Sequence, residues 1–319
     1  MQTDQSALSE PNVLVAGEAL IDFVHVGEDS MTYRAMPGGS PFNVAVGLAC
    51  LEVPTGFLGR LSTDPFGQRL RGVLHENGVS QDYVQDDPGP TTLAMVVKRA
   101  DHEPQFLFYG HDAADQHLVP DDLPAELPGP VRTLHFGSYS MVRQPIGSTL
   151  TGLMQRESGK RLISFDPNVR PQFILDLEDY KARLEEWIQL STIVKLSQAD
   201  LEFLYPRIQP DDIAKQWLAM GPKLLVVTRG KDGATGFTAN CTARVPSPDV
   251  QLVDSVGAGD AFTAGLLAWL YHHRHLSLDA IGRLEEAEIL GALRFANQVA
   301  SLTCTRQGAD PPHRSQLIP

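Results

Sequence analysis

Basic charge, cysteine and long apolar runs are all scarce in this chain, and each scarcity removes a class of function. Lysine and arginine number 26 against 39 aspartates and glutamates, a formal net charge of −13. A field of that sign repels phosphate backbones and anionic lipid, which excludes general binding to nucleic acid or to an acidic membrane and points to a small-molecule substrate. The three cysteines, Cys50, Cys241 and Cys304, are far apart and at none of the usual metal or redox spacings. They predict reduced thiols and a cytoplasmic setting. No apolar run approaches the roughly 20 residues of a membrane span, and residues 1–10 are polar without a signal pattern, which predicts a flexible tail. A cluster of histidine and carboxylate at ligand spacing is also missing. His272, His273 and His275 read as a solvated helix end, which speaks against a metal-dependent hydrolase.

What is present is enough apolar residue, 42% of 319, to bury a large core in one large domain. Runs of strand composition recur at 13–16, 56–59, 133–136, 162–165, 192–196 and 224–228. Helix-period segments such as 68–76 and 180–190 lie between them. The alternation predicts an α/β fold with a mostly parallel sheet covered on both faces, and ligands gather at the carboxyl ends of strands in such sheets. Two segments break the pattern. Residues 91–98 and 105–109 around a turn at 99–104 read as a β-hairpin, and residues 22–34 read as extended, either as an edge elaboration of the main sheet or as a separate small one. The Pro-rich residues 120–130 read as the return to the core.

The densest chemistry lies in Asp254-Ser255-Val256-Gly257-Ala258-Gly259-Asp260-Ala261-Phe262, ahead of an apolar helical run at 263–271. Small residues at Gly257, Ala258 and Gly259 open the start of a helix, whose free N–H groups attract anions. Asp260 beside that cradle can take a proton from an alcohol while the cradle holds a phosphoryl group. A Gly-rich turn before a helix is the plain alternative. A second run, Gly38-Gly39-Ser40-Pro41-Phe42-Asn43, precedes another helical segment.

In this order and spacing the two runs resemble the signatures of the PfkB, or ribokinase-like, family of carbohydrate kinases. The resemblance covers about 13–312, with one departure at Cys50-Leu51-Glu52, where the family usually continues R-L-G. It implies a single ribokinase-like domain over 11–312, three-layered α/β/α, with a small β-sheet lid from about 18–36 and 91–112. Lids of this kind exclude water and suppress wasted ATP hydrolysis. It further implies ATP and Mg²⁺ as cofactors, and a homodimer through the lid becomes plausible.

The resemblance also assigns residues. Asp22, Gly38, Gly39, Asn43 and Asp260 are expected to bind sugar, although Asp22 alone would read as a solvated strand end. Asp166-Pro167-Asn168-Val169-Arg170 is a good turn sequence whose Asn168 and Arg170 are expected near the reacting groups, Arg170 clamping a phosphoryl or substrate oxygen. Lys195 and Ser197 are expected at the nucleotide. Asp200 stands where the family has a Glu that organises hydrated Mg²⁺, with Glu202 as the fallback. Thr228, Gly230 and Gly233 form the expected nucleotide loop, with a hairpin turn as the other reading. Asn297 is expected beside the adenine, and Asp254 with the 306–309 loop is a candidate site for K⁺. The run 106–115 resembles fructokinases, with Gly110 where an Arg is common. Transfer to the 6-hydroxyl of fructose is therefore the first expectation. A 2-keto-3-deoxygluconate kinase, a ribokinase, a nucleoside kinase and a silent sugar-binding regulator are the alternatives. A keto-acid substrate would want an added cation near the sugar, for which the lid offers only Arg34, Lys98 and Arg99.

Overall fold

Successive residues of single strands bury into different halves of the core, which is what a sheet sandwiched between two helical layers requires. The computed structural model describes residues 10–25, 32–99 and 102–317. Its strands are β1 (Val13–Ala16), β2 (Leu20–His25), β3 (Tyr33–Gly38), β4 (Thr55–Ser62), β5 (Ser80–Asp87), β6 (Leu93–Arg99), β7 (His102–Tyr109), β8 (Thr133–Gly137), β9 (Leu162–Asp166), β10 (Ile193–Ser197), β11 (Leu224–Thr228), β12 (Ala234–Phe237) and β13 (Thr242–Val245). From β1, Val13 and Val15 pack with helices Ser40–Cys50, Pro65–Glu76, Ala258–His272 and Glu286–Cys304. Leu14 and Ala16 pack on the other face with helices Ile146–Glu157, Leu177–Leu190 and Pro210–Met220.

The large sheet runs β13-β12-β11-β10-β9-β8-β1-β4-β5. It is parallel from β11 to β5, and β12 is antiparallel to both of its neighbours. Because β1 pairs with β8 on one side and β4 on the other, the connections diverge there and leave a crevice at the carboxyl ends. All six strand-like runs read from the sequence are strands. Three others gave little signal. The edge strand β5 reads Ser-Gln-Asp-Tyr-Val-Gln-Asp-Asp, and β12 and β13 are four residues each.

The two irregular segments form a separate four-stranded sheet, β3-β2-β6-β7. Two antiparallel hairpins are joined by a parallel β2–β6 pair. The turn predicted at 99–104 and the tail at 1–10 fall partly or almost wholly outside the described residues. Helix Ala258–His272 is locked by close backbone approach. A Cβ at Gly265 would stand 2.9 Å from Ala296 Cα, and one at Gly47 would stand 2.8 Å from Ala264 Cβ. At the end of that helix His273 is exposed, as expected, and stacks on Trp269 with centroids 3.9 Å apart, while His272 is half-buried with its Nε2 2.8 Å from Leu51 O. Among the described residues no helix is long and apolar enough to cross a membrane, and no group of three or more His, Cys, Asp or Glu forms a metal cluster.

Candidate active site

Three adjoining cavities follow the carboxyl ends of β1, β8, β9, β10 and β11. The first is lined by Glu18, Asp22, Asn43, Tyr139, Arg170 and Asp260 among others. The second, about 710 Å³, is lined by Arg170, Lys195, Asp200, Gly257, Gly259 and Asp260. The third, about 590 Å³, takes Gly230, Gly233, Ser255, Gly259, Asn297 and Ser301 into its wall. Asp260 borders the first and second, and Gly259 the second and third, so the helix start stands between two chambers and a groove.

Asp260 is held from two sides. Ser40 Oγ donates to Oδ1 at 2.7 Å, and Asn43 Nδ2 donates to Oδ2 at 2.8 Å. Both donors come from the first turn of helix Ser40–Cys50, so two helix starts meet head to head. Burial pushes the Asp260 carboxyl above its ordinary range, against the pull of Asn43, Ser40 and Lys195. A carboxylate made more basic and fixed in orientation is suited to accepting an alcohol proton. Ser40 was not anticipated, since nothing local in a Gly-Gly-Ser-Pro run points to a partner 220 residues away.

The anion cradle is narrower than the sequence suggested. Gly257 takes φ 76°, a left-handed conformation that favours glycine, and caps the helix without a side chain. Ala258 N–H is spent on Ser255 O at 3.2 Å. Gly257 and Gly259 carry no backbone bond through N–H among the described residues, and both border the second cavity. Lys195 Nζ sits against the same turn, 3.2 Å from where a Gly259 Cβ would stand, and pairs with Asp166 Oδ2 at 2.7 Å. Burial alone would pull the ammonium down, but the Asp166 carboxylate outweighs it and Lys195 stays charged.

Asp22 is buried, 6% exposed, which removes the solvated strand-end reading. Burial, followed by the nearby Asp260 charge, pushes its carboxyl up to about 7. Gly38 is a glycine because of Asp22: an added Cβ would stand 2.2 Å from Asp22 Oδ2. Gly39, at φ 102°, caps helix Ser40–Cys50 and so aims Ser40 and Asn43. Behind the cavity, Thr92 Oγ1 and Tyr139 Oη donate to Asp115 at 2.5 and 2.6 Å. A Cβ at Gly110 would stand 2.6 Å from Thr92 Oγ1, so the Arg common in the resembling kinases has no room here.

Other expected residues are present but already engaged. Asp200 forms a capping box with Ser197, whose Oγ lies 2.8 Å from Oδ2, and its Oδ1 accepts Val169 N–H at 3.0 Å. Asn168, at φ 39°, accepts from Arg170 Nη1 at 2.7 Å. Glu202 bonds Gln198 at 2.6 Å on an exposed face and takes no part. Asn297 donates to the Val245 and Pro246 carbonyls at 3.4 and 3.3 Å, while still lining the third cavity. Thr228 ends β11, and Gly230 and Gly233 turn the chain into the antiparallel β12, as the hairpin reading expected, with Thr228 and Gly230 lining the second and third cavities and Gly233 the third. Asp254 ties two loops, accepting Val256 N–H at 3.2 Å and Gly308 N–H at 3.1 Å. Arg34 reaches Gln307 at 2.8 Å. The side chains of Lys98 and Arg99 lie outside the described residues.

A three-layer α/β sandwich with a basic carboxylate at a helix start, beside free amides and a buried lysine, is the architecture of a small-molecule phosphotransferase. The family described as pfkB family carbohydrate kinase matches residues 10–316. The fructokinase of Rhizobium leguminosarum bv. trifolii is 37% identical over 278 residues, 86% of this chain and 84% of that protein. Among solved structures, the ATP-bound fructokinase of Xylella fastidiosa superposes with a TM-score of 0.85 at 31% identity, covering 93% of each chain. The fructokinase of Vibrio cholerae O395 bound to fructose, ADP and calcium ion gives 0.81 at 30% identity over 94% of each chain. The chain belongs to the pfkB family of carbohydrate kinases.

Proposed function

We propose that this protein is an ATP-dependent fructokinase, moving the γ-phosphoryl group of ATP onto the 6-hydroxyl of fructose. The observation that carries the reading is Asp260, oriented by Ser40 and Asn43 where the first cavity meets the second. In this reading the sugar occupies the first cavity, the phosphates the second and the adenosine the third. Asp260 takes the alcohol proton as the oxygen attacks phosphorus; the bond from the γ-phosphorus to its bridging oxygen breaks and ADP departs. The Gly257 and Gly259 amides, Lys195 and the Arg170 guanidinium face the charge in transfer, and positioning supplies most of the acceleration.

Asp200, with Asp166 behind it, would hold Mg²⁺. Both acids already accept protein donors, yet a carboxylate has about four lone-pair sites and Mg²⁺ keeps several waters, so binding through water fits this donor set. When bound, the ion neutralises phosphate oxygens. The small sheet supplies Leu20, Asp22 and Phe108 to the wall of the first cavity, which fits a lid that keeps water from the phosphates. Leu107 and Tyr109 stand 54% and 62% exposed on the edge strand β7, which fits pairing of two lids in a homodimer. Asp254 and the 306–309 loop remain the proposed K⁺ site.

A neutral sugar is favoured over a keto acid. Among the described residues, Glu18, Asp22 and Asp260 line the first cavity with Arg170 as the one cation. The test is ADP release with Mg-ATP against fructose, ribose, 2-keto-3-deoxygluconate, adenosine and no acceptor. Fructose alone should give strong release. Release with another acceptor keeps the phosphotransfer mechanism and discards the fructokinase reading.

A further inference from the structure

Glu18 is a side chain the mechanism does not use, yet it lines the first cavity, where the proposed reading puts the acceptor. It directly follows β1 at the point where the sheet connections diverge, and it is 1% exposed. A carboxyl this deep needs partners, and this one has a built cradle. Ser140 Oγ donates to Oε2, and Glu18 N–H donates back to Ser140 Oγ at 3.0 Å. Ser138, which also lines the cavity, takes φ 60°, a left-handed conformation uncommon for a side chain larger than glycine. The two serines come from the short helix Ser138–Met141 that follows β8, so β1 and β8 together frame the carboxyl.

Several other polar groups lining the cavity already face protein partners, Arg170 among them, which donates to Asn168. Ser40 and Asn43 face Asp260, and Tyr139 faces Asp115. A sugar presents several hydroxyls, and each needs a partner once water is displaced. Asp22 and Glu18 line the same cavity, and a carboxyl bonded at one oxygen, as Glu18 is by Ser140, keeps further sites to meet them. Burial pushes Glu18 up to about 8, so near neutrality its carboxyl is largely protonated and can donate as well as accept.

We infer that Glu18, braced by Ser140, contacts a hydroxyl of the sugar other than the one phosphorylated, and thereby sets which sugar the enzyme accepts. The inference rests on the first cavity being the sugar site. Loss of a hydrogen bond to a buried carboxyl is worth roughly tenfold or more in affinity. The plain alternative is an internal strut that never touches ligand.

The test compares dissociation constants of wild type and Glu18→Ala for fructose and a set of its monodeoxy analogues, by calorimetry, with Mg-ADP binding measured alongside. Fructose should weaken about tenfold or more, Mg-ADP should not change, and one analogue should bind the two proteins within about twofold because the contacted hydroxyl is already gone. Uniform weakening across the set, or none, overturns the inference. If Glu18→Ala does not fold, Glu18→Gln carries the same comparison with a smaller expected change, about threefold. Failure of the fructokinase reading looks different: wild type then binds another sugar of the panel, and the same comparison is made with that sugar's deoxy analogues. A wild type that binds no sugar overturns both.

Discussion

Replacing Asp260 by Asn keeps the shape of the proposed base and removes its basicity. The carboxylate accepts from Ser40 at 2.7 Å and from Asn43 at 2.8 Å, one oxygen each. An amide has one oxygen to offer, so its NH₂ must face either the Ser40 hydroxyl, which can turn to accept, or the Asn43 NH₂, which cannot. The first arrangement keeps the geometry at small cost. The second leaves a donor unpaired at about 1–3 kcal/mol. Against that, a neutral amide escapes the burial that raises the Asp260 carboxyl. The midpoint of unfolding should therefore move by no more than about 2–6 °C. Turnover should behave very differently. General base catalysis is worth about 10²–10⁴-fold, or about 2.7–5.4 kcal/mol of barrier. The assay is ADP release with saturating fructose, paired with calorimetric ATP binding, which should change less than about threefold. Turnover within tenfold of wild type in a folded Asp260→Asn protein would refute the assignment.

Three further outcomes follow from the same geometry. Gly38→Ala places a methyl 2.2 Å from Asp22 Oδ2 and 2.9 Å from Cγ, so it must displace the carboxyl; KM for sugar should rise about tenfold or more while KM for ATP holds, and unchanged sugar kinetics would count against Asp22 as a sugar ligand. Asp200→Ala removes the acceptor of Ser197 and Val169 at a cost of about 1–2 kcal/mol. It should lower the unfolding midpoint by about 2–4 °C, and half-saturating Mg²⁺ measured on the same protein shows whether the carboxylate also serves the metal. Burial raises Asp22 from 3.8 to about 7 and Glu18 from 4.5 to about 8, so the folded protein keeps protons that the unfolded chain releases. Their stabilisation is full below about pH 4 and is lost as pH rises through 7 and 8. The wild-type midpoint should fall more between pH 5.5 and 8.5 than that of Glu18→Gln, and equal slopes by scanning fluorimetry would contradict the raised Glu18 value.

The sandwich was legible because parallel strands are buried on both faces and so read as unbroken apolar runs. Leu224-Leu225-Val226-Val227 shows this, sending alternate residues to opposite helical layers. Edge strands need no such run, which is why β5 and β13 were silent; β12 is buried between β11 and β13 but is only four residues, Ala-Thr-Gly-Phe, too short to stand out. The turn at 257–259 and Asp260 were legible for a related reason: a helix start with small residues carries its own local signal. Asp22 was not, because a carboxylate after a strand looks the same in sequence whether it faces water or a closed cavity. Only its resemblance to family motifs marked it.

The residues missed altogether share a physical cause. Ser40, Glu18 and Ser140 act through partners 220 and 122 positions away, and no pattern of period 2 or 3.6 encodes such a distance. Asp200 shows the converse. A motif named it for metal, while its spacing from Ser197 also satisfies a capping box, and the structure uses that spacing to tie Val169, and through it the loop bearing Arg170, to the start of helix Gln198–Leu204. One carboxylate with four lone pairs can serve as a cap and still turn toward a hydrated ion. The shorter side chain holds the loop by direct bonds and, in the proposed reading, would reach Mg²⁺ only through water. Lengthening it in Asp200→Glu should exchange those roles, lowering the Mg²⁺ requirement while costing thermal stability; a variant that loses stability and gains nothing in Mg²⁺ affinity would show that the cap is its whole task.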